Sequence, residues 1–305
     1  MYNRNKALLS LTAAALLLLP FFFAPPSAGA FTPPPAPAVQ ASGVAILDEN
    51  GNMVYGSAPH ARYPMASTTK MMTALVAVDR IDLQRKVVID VSWDEIPDSS
   101  VMYLTLMDEL TIEDLLYGMM LPSGNDAARA IARAVSGDEY RFVKLMNEKA
   151  RALGLADTHY MNPHGRDQDG HYSSAYDLAR TGYFLMQKPV LARIVATKQR
   201  TVYGLQAYYL RNLVPVLFNY AGADGIKTGY DDKALHSIVA TAVRDGKRVY
   251  VAIIHAPADY AVEATQMMDY YFANATALAS AAVQANAPAP APPPAAVKPS
   301  PIATP

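Results

Sequence analysis

The order of apolar patterns along the chain predicts an α+β fold, with one antiparallel sheet flanked by helices and a helical subdomain. Three observations predict it. A hairpin signal opens the globular part, where Ser42 to Leu47 and Met53 to Ser57 read as strands around Asp48-Glu49-Asn50-Gly51, whose Asn-Gly pair suits a tight turn. Helical spacing then dominates from Ser67 to Val195. From Arg200 the period changes to two, and helices grouped before a run of strands indicate an α+β arrangement.

Each element has its own signal. Ser67 opens the apolar run Met71 to Val78, and Val87 to Val91 reads as a strand. Trp93 to Met107 lacks a period and reads as loop, with nothing to single out Ser99 or Ser100. Thr111-Ile112-Glu113-Asp114 is a helix-capping pattern, and the helix it starts ends at Pro122. A helix from Asp126 to Val135 follows, then one beginning at Gly137-Asp138-Glu139 with Gly154 as its stop. Thr158 to Ser174 reads as a structured loop over a cleft. Its His159, His164 and His171 lack the helical spacing of a metal site, so no metal and no cofactor is expected. Ser174 to Met186 and Pro189 to Val195 are helical. Thr201 to Tyr203, Ala207 to Leu210, Leu235 to Val243 and Arg248 to Ile254 are strands, the last two joined by the two-residue turn Asp245-Gly246. A final amphipathic helix from Tyr260 to Asn274 covers one face of the sheet.

The ends differ from this middle. Arg4 and Lys6 precede an apolar stretch from Ala7 to Phe23, and Ala28-Gly29-Ala30 has the small-residue pattern of a secretory cleavage site, which would leave Phe31 first. Residues 1–30 are therefore expected to be a signal peptide and the protein to be exported, to a periplasm or to the wall side of the cell. Left uncleaved, the same stretch would tether it to a membrane. Of the 23 prolines, seven fall between Pro20 and Pro37 and eight between Pro288 and Pro305. Residues 31–41 are expected to be a Pro-rich linker and 275–305 an Ala/Pro-rich disordered tail, leaving one catalytic domain at 42–274. The chain has no cysteine, which excludes disulfides, thiol catalysis and cysteine-ligated zinc. A net charge of −1 without a basic block argues against a nucleic-acid partner.

The chemistry is carried by Ser67-Thr68-Thr69-Lys70. On a helix starting near Ser67, positions three apart share a face, so the Lys70 amine reaches the Ser67 hydroxyl. The helix start adds unpaired N–H groups suited to an oxygen that becomes negative. A lysine kept neutral by desolvation and a nearby cation can take the serine proton. Two further motifs follow in order: Ser123-Gly124-Asn125 between helices, and Lys227-Thr228-Gly229 on a strand. Lys227 and Thr228 offer a cation and a hydroxyl side by side, the pair that a free carboxylate needs. Gly229 lets a substrate backbone approach the strand.

Together with Leu115-Leu116-Tyr117-Gly118, Leu121-Pro122-Ser123-Gly124-Asn125-Asp126-Ala127, Asn162-Pro163-His164-Gly165 and Tyr172-Ser173-Ser174-Ala175-Tyr176-Asp177-Leu178-Ala179, these motifs resemble the D-alanyl-D-alanine carboxypeptidases, the low-molecular-mass penicillin-binding serine peptidases. The resemblance spans about Ser42 to Phe272 and implies a β-lactamase/transpeptidase-like fold. It also implies a peptidoglycan stem peptide ending in D-Ala-D-Ala as substrate and β-lactam antibiotics as ligands. By the same resemblance Ser67 is the acylated nucleophile, Lys70 its base and Ser123 the proton relay to the leaving group. Asn125 then binds the substrate amide and Lys227 and Thr228 the carboxylate, while the N–H groups of Ser67 and Tyr230 form the oxyanion hole. Arg166 stands where such proteins often have leucine, Leu235 where glycine is usual, and His255 and Tyr260 where some relatives place arginines. Beyond Asn274 the sequence reads as Ala/Pro-rich tail, so the second β-domain and C-terminal amphipathic anchor of many relatives are expected to be missing. The competing readings are a DD-endopeptidase on cross-linked muropeptides, a serine β-lactamase, and a penicillin-sensing or wall-binding module without turnover. Absence of an E-x-x-L-N segment between Ser123 and Lys227 counts against the β-lactamase.

Overall fold

The computed structural model describes residues 34–285; the expected signal peptide, the first residues of the expected linker and the last twenty of the expected tail lie outside them. Strands β1 (Gly43–Leu47) and β2 (Met53–Ser57) form the expected hairpin. They join β7 (Ala223–Asp231), β8 (Leu235–Arg244) and β9 (Lys247–Ala256) in one antiparallel sheet of order β2-β1-β9-β8-β7. β7 is thus an edge strand, paired with another strand on one side only.

The pleat sends alternate side chains of β9 to opposite layers. Val249, Val251 and Ile253 pack with Ile238 and Ala240 against Met267, Met268 and Tyr271 of α8 (Tyr260–Ala285). Tyr250, Ala252 and Ile254 face the larger core, built on α1 (Lys70–Arg80). Around α1 stand α2 (Ile112–Met120), α3 (Asn125–Ser136), α4 (Glu139–Ala152), α5 (Ala175–Met186) and α6 (Pro189–Ala196). Three of their starts are closed by side chains accepting backbone N–H bonds: Thr111 from Asp114, Asp138 from Arg141, and Ser174 from Asp177. At the end of α4, Gly154 has φ +71°, and Leu155 N–H donates to Ala150 O at 2.9 Å, as a left-handed C-terminal cap requires.

Four expectations need correction. The strands are not all in one sheet. β3 (Lys86–Val88) pairs with β4 (Glu109–Thr111), and β5 (Gln199–Tyr203) with β6 (Ala207–Arg211), as separate two-stranded ribbons, the short α7 (Val216–Asn219) following the second. The strand expected at Val87–Val91 is only Lys86–Val88. The last helix does not stop at Asn274. Its backbone departs from helical angles there (φ −128°, ψ 15°) and then continues to Ala285, burying Leu278 in the α8 core. Alanine's high helix propensity suits that continuation, so residues 275–285 belong to the domain and not to a disordered tail. Finally, residues 34–41 are extended but not free: Tyr270 O–H donates to Pro34 O at 2.7 Å, Gln40 N–H donates to Glu263 Oε1 at 2.6 Å, and Val39 packs on the α8 core. Among the described residues no helix is long and apolar enough to cross a membrane.

Candidate active site

Ser67 lies in a turn of 3-10 helix (Ala66–Thr69) that leads straight into α1, so Lys70 is the first residue of the α-helix proper. The expected pairing holds within this tighter geometry. Lys70 Nζ is 2.9 Å from Ser67 Oγ, and donates to Asn125 Oδ1 at 2.6 Å and to His164 O at 2.5 Å. Lys70 is completely buried, and its amine is held well below its ordinary pKa. Burial is the largest cause and the nearby Lys227 ammonium the second, partly opposed by Asp126. A neutral amine beside a half-buried hydroxyl can accept that hydroxyl's proton.

Asn125 begins α3, with Gly124 before it as cap, and its N–H donates to Ser100 O at 2.8 Å. Because Lys70 takes its Oδ1, its side-chain N–H₂ is what remains for a ligand. Ser123, next to the stop that Pro122 imposes on α2, has φ +67° and a buried Oγ with no hydrogen-bond partner. An unpaired buried hydroxyl in a strained backbone is a feature to expect at a functional site.

β7 closes the other side. Lys227 is fully buried, with Nζ donating to Thr228 O at 3.1 Å, and burial lowers its pKa to about 7. Thr228 is half-buried and Tyr230 is exposed at the cleft. A Cβ on Gly229 would lie 2.9 Å from Ser67 N and 2.9 Å from Met65 O. Glycine is therefore needed there by the serine's own segment, a tighter constraint than approach of a substrate. Ser67, Asn125 and Tyr230 open onto a cleft of about 850 Å³, lined further by Ser99, Ser100 and Arg166.

Several further residues support the site. Buried Asp126 accepts N–H bonds from Met102 (2.8 Å), Leu104 (3.0 Å) and Ala127 (2.9 Å), tying the cleft-lining loop to α3. Its position directly after Ser-Gly-Asn was the available signal. The loop histidines serve structure: His159 Nδ1 lies 2.7 Å from Gly170 O, and His171 bridges Met161 and Thr69. Leu235 has φ +53°, which explains why glycine would be at ease there. Arg166 donates to Pro97 O at 3.1 Å, His255 stacks on Tyr63 at 4.7 Å, and Tyr260 stacks on His236 at 4.6 Å. His236 in turn lies 4.5 Å from the Tyr230 ring, so aromatic packing links Tyr260 through His236 to Tyr230 at the cleft.

Fold and geometry together define the penicillin-binding fold class, with a buried lysine amine set beside a serine hydroxyl at its cleft. The family model described as D-alanyl-D-alanine carboxypeptidase, peptidase S11, matches residues 30–258, and the chain belongs to that family. It is 33% identical over 240 residues to the Bacillus subtilis D-alanyl-D-alanine carboxypeptidase DacF, covering 76% of this chain and 62% of that one, so it spans about three-fifths of that relative's length. Similarity to Mycobacterium tuberculosis DacB2 is 36% over 231 residues, covering 75% and 78% of the two chains. The solved structure of the Streptomyces K15 DD-transpeptidase superposes with a TM-score of 0.74 at 31% identity, covering 78% of this chain and 99% of that one.

Proposed function

We propose that the protein is an exported serine DD-carboxypeptidase that removes the terminal D-alanine from peptidoglycan stem peptides and is acylated by penicillins. The observation that carries this is the buried Lys70 amine 2.9 Å from Ser67 Oγ, with Lys227 close enough to help keep it neutral. The names of its relatives agree with it.

In the reaction, Ser67 Oγ attacks the carbonyl between the two D-alanines while its proton passes to Lys70 Nζ. The negative oxygen is held by the N–H groups of Ser67 and Tyr230. Ser123 Oγ, unpaired in the free enzyme, carries the proton from Lys70 to the departing D-alanine nitrogen, and an ester on Ser67 remains. Water, deprotonated by the same groups, then hydrolyses the ester. Asn125 binds the substrate amide through its free N–H₂, and Lys227 with Thr228 binds the terminal carboxylate.

The fate of the ester is the second reading. The Streptomyces K15 relative is described both as a DD-transpeptidase and as a D-alanyl-D-alanine carboxypeptidase, names that differ in whether an amine or water takes the acyl group. A DD-endopeptidase uses the same groups on a cross-linked peptide. The test is intact-mass spectrometry of protein treated with penicillin, together with assays of D-alanine release from pentapeptide and of cross-linked muropeptide cleavage. One adduct is expected, on Ser67, and none in Ser67→Ala; an adduct that survives the substitution ends the proposal, and an adduct without turnover favours the penicillin-sensing module.

A further inference from the structure

Ala66 has φ +47°, a left-handed conformation that a non-glycine residue holds only when its surroundings enforce it. Its carbonyl accepts a hydrogen bond from Thr69 Oγ1 at 2.8 Å, and Thr69 Oγ1 lies 2.7 Å from His171 Nε2, both side chains being buried. The direction of this chain follows from its far end. Met161 N–H donates to His171 Nδ1 at 2.9 Å, so Nδ1 carries the lone pair and Nε2 the proton. His171 therefore donates to Thr69, whose own proton goes to Ala66 O. Burial, His159 and Lys70 lower the His171 pKa to about 4, which keeps the ring in this neutral form at neutral pH.

A peptide unit is planar and trans, so the C=O of Ala66 and the N–H of Ser67 point in opposite directions. Drawing the carbonyl toward Thr69 therefore leaves the Ser67 N–H on the opposite side of the peptide unit, and Ser67 N itself stands beside the edge strand, 2.9 Å from where a Cβ on Gly229 would lie. From the loop side, Gly165 is apposed to the same carbonyl so closely that a Cβ there would lie 2.1 Å from Ala66 O. We propose that Thr69 and His171 are positioning residues for acyl transfer, a hydrogen-bonded chain from the loop to Ala66 that aims the Ser67 N–H at the developing oxyanion. Neither side chain touches substrate; both act through the Ala66–Ser67 peptide. The inference rests on the acyl-enzyme reading above.

The experiment is stopped-flow acylation by a fluorescent penicillin, with the limiting rate and the half-saturating concentration read separately and melting temperatures taken alongside. Wild type, Thr69→Ala, Thr69→Ser, His171→Phe and His171→Gln are compared. Thr69→Ala and His171→Phe should lower the limiting rate by about tenfold or more, a part of the loss seen when an oxyanion donor is removed, with little change in half-saturation. Thr69→Ser keeps the hydroxyl and His171→Gln keeps an N–H for Thr69, so both should recover most of the rate. The proposal is overturned if folded Thr69→Ala and His171→Phe acylate like wild type, if the loss lies in half-saturation, or if the conservative variants do not recover. Melting of both disruptive variants below the assay temperature also counts against it, since the chain would then serve folding alone. Wild type forming no adduct at all would instead refute the acyl-enzyme reading.

Discussion

Raising the pH from 6 to 9 should discharge Lys227 and with it recognition of the substrate carboxylate. Burial sets its pKa at about 7, so the ammonium form falls from roughly nine-tenths to roughly one-hundredth of the molecules. On a peptide ending in D-Ala-D-Ala, kcat/KM should therefore fall by about ninetyfold across that range, with kcat falling less because a bound carboxylate raises the lysine's pKa. On the acid side the limb has the other sign, since protonating Lys70 removes the base; the two amines interact, so the limbs belong to the pair. The assay is D-alanine release at constant ionic strength, repeated with the C-terminal amide of the peptide. A profile flat from pH 7 to 9, or an alkaline limb of equal depth for the amide, would refute the assignment. Stability follows by linkage. Between pH 7 and the unfolded lysine's value of about 10.4, the unfolded chain binds more protons than the folded one, so stability rises with pH. From pH 7 to 9 Lys227 contributes about 2 kcal/mol, and Lys70, also depressed, acts in the same direction. The melting temperature should thus rise over this window, and rise less in Lys227→Met.

The two lysines should separate by substitution: Lys70→Arg abolishes acylation because a guanidinium cannot act as base, whereas Lys227→Arg retains measurable acylation, raises KM and loses the alkaline limb. Equal loss in both, measured by penicillin adduct and by D-alanine release, contradicts the division of roles. Asp126→Ala strands three backbone donors and should cost about 3 kcal/mol or more, read as a melting temperature lower by roughly 10 °C for a domain of this size; an unchanged melting curve would show the loop to be held otherwise. Leu278→Ala should cost about 2 kcal/mol or more, and a melting temperature equal to wild type would mean that the helix beyond Asn274 is not part of the folded unit.

What the sequence determined by itself was mostly local. The hairpin at Asn50-Gly51, the cap at Thr111 and the period-two strands are written in nearest neighbours, so they could be read without a structure. The Ser67 and Lys70 pairing was legible for the same reason, three residues on one helical turn. That Ser123, Asn125 and Lys227 converge on that pair was legible only through resemblance, because spacing along a chain carries no distance across it. Tertiary structure decided the rest. Whether β5 and β6 join the main sheet depends on which edge is vacant, and β7 leaves its edge to the cleft. The helix past Asn274 persists because Leu278 finds a core, a fact of packing that Ala-rich composition cannot announce. Lys227 shows in the sequence only as a cation on a strand, yet the fold buries it completely, and that burial lowers its pKa to about 7. His171 lies about a hundred residues from Thr69 in the chain and 2.7 Å from it in space; only the folded loop joins them, because hydrogen bonds are set by proximity after collapse and not by order in the chain.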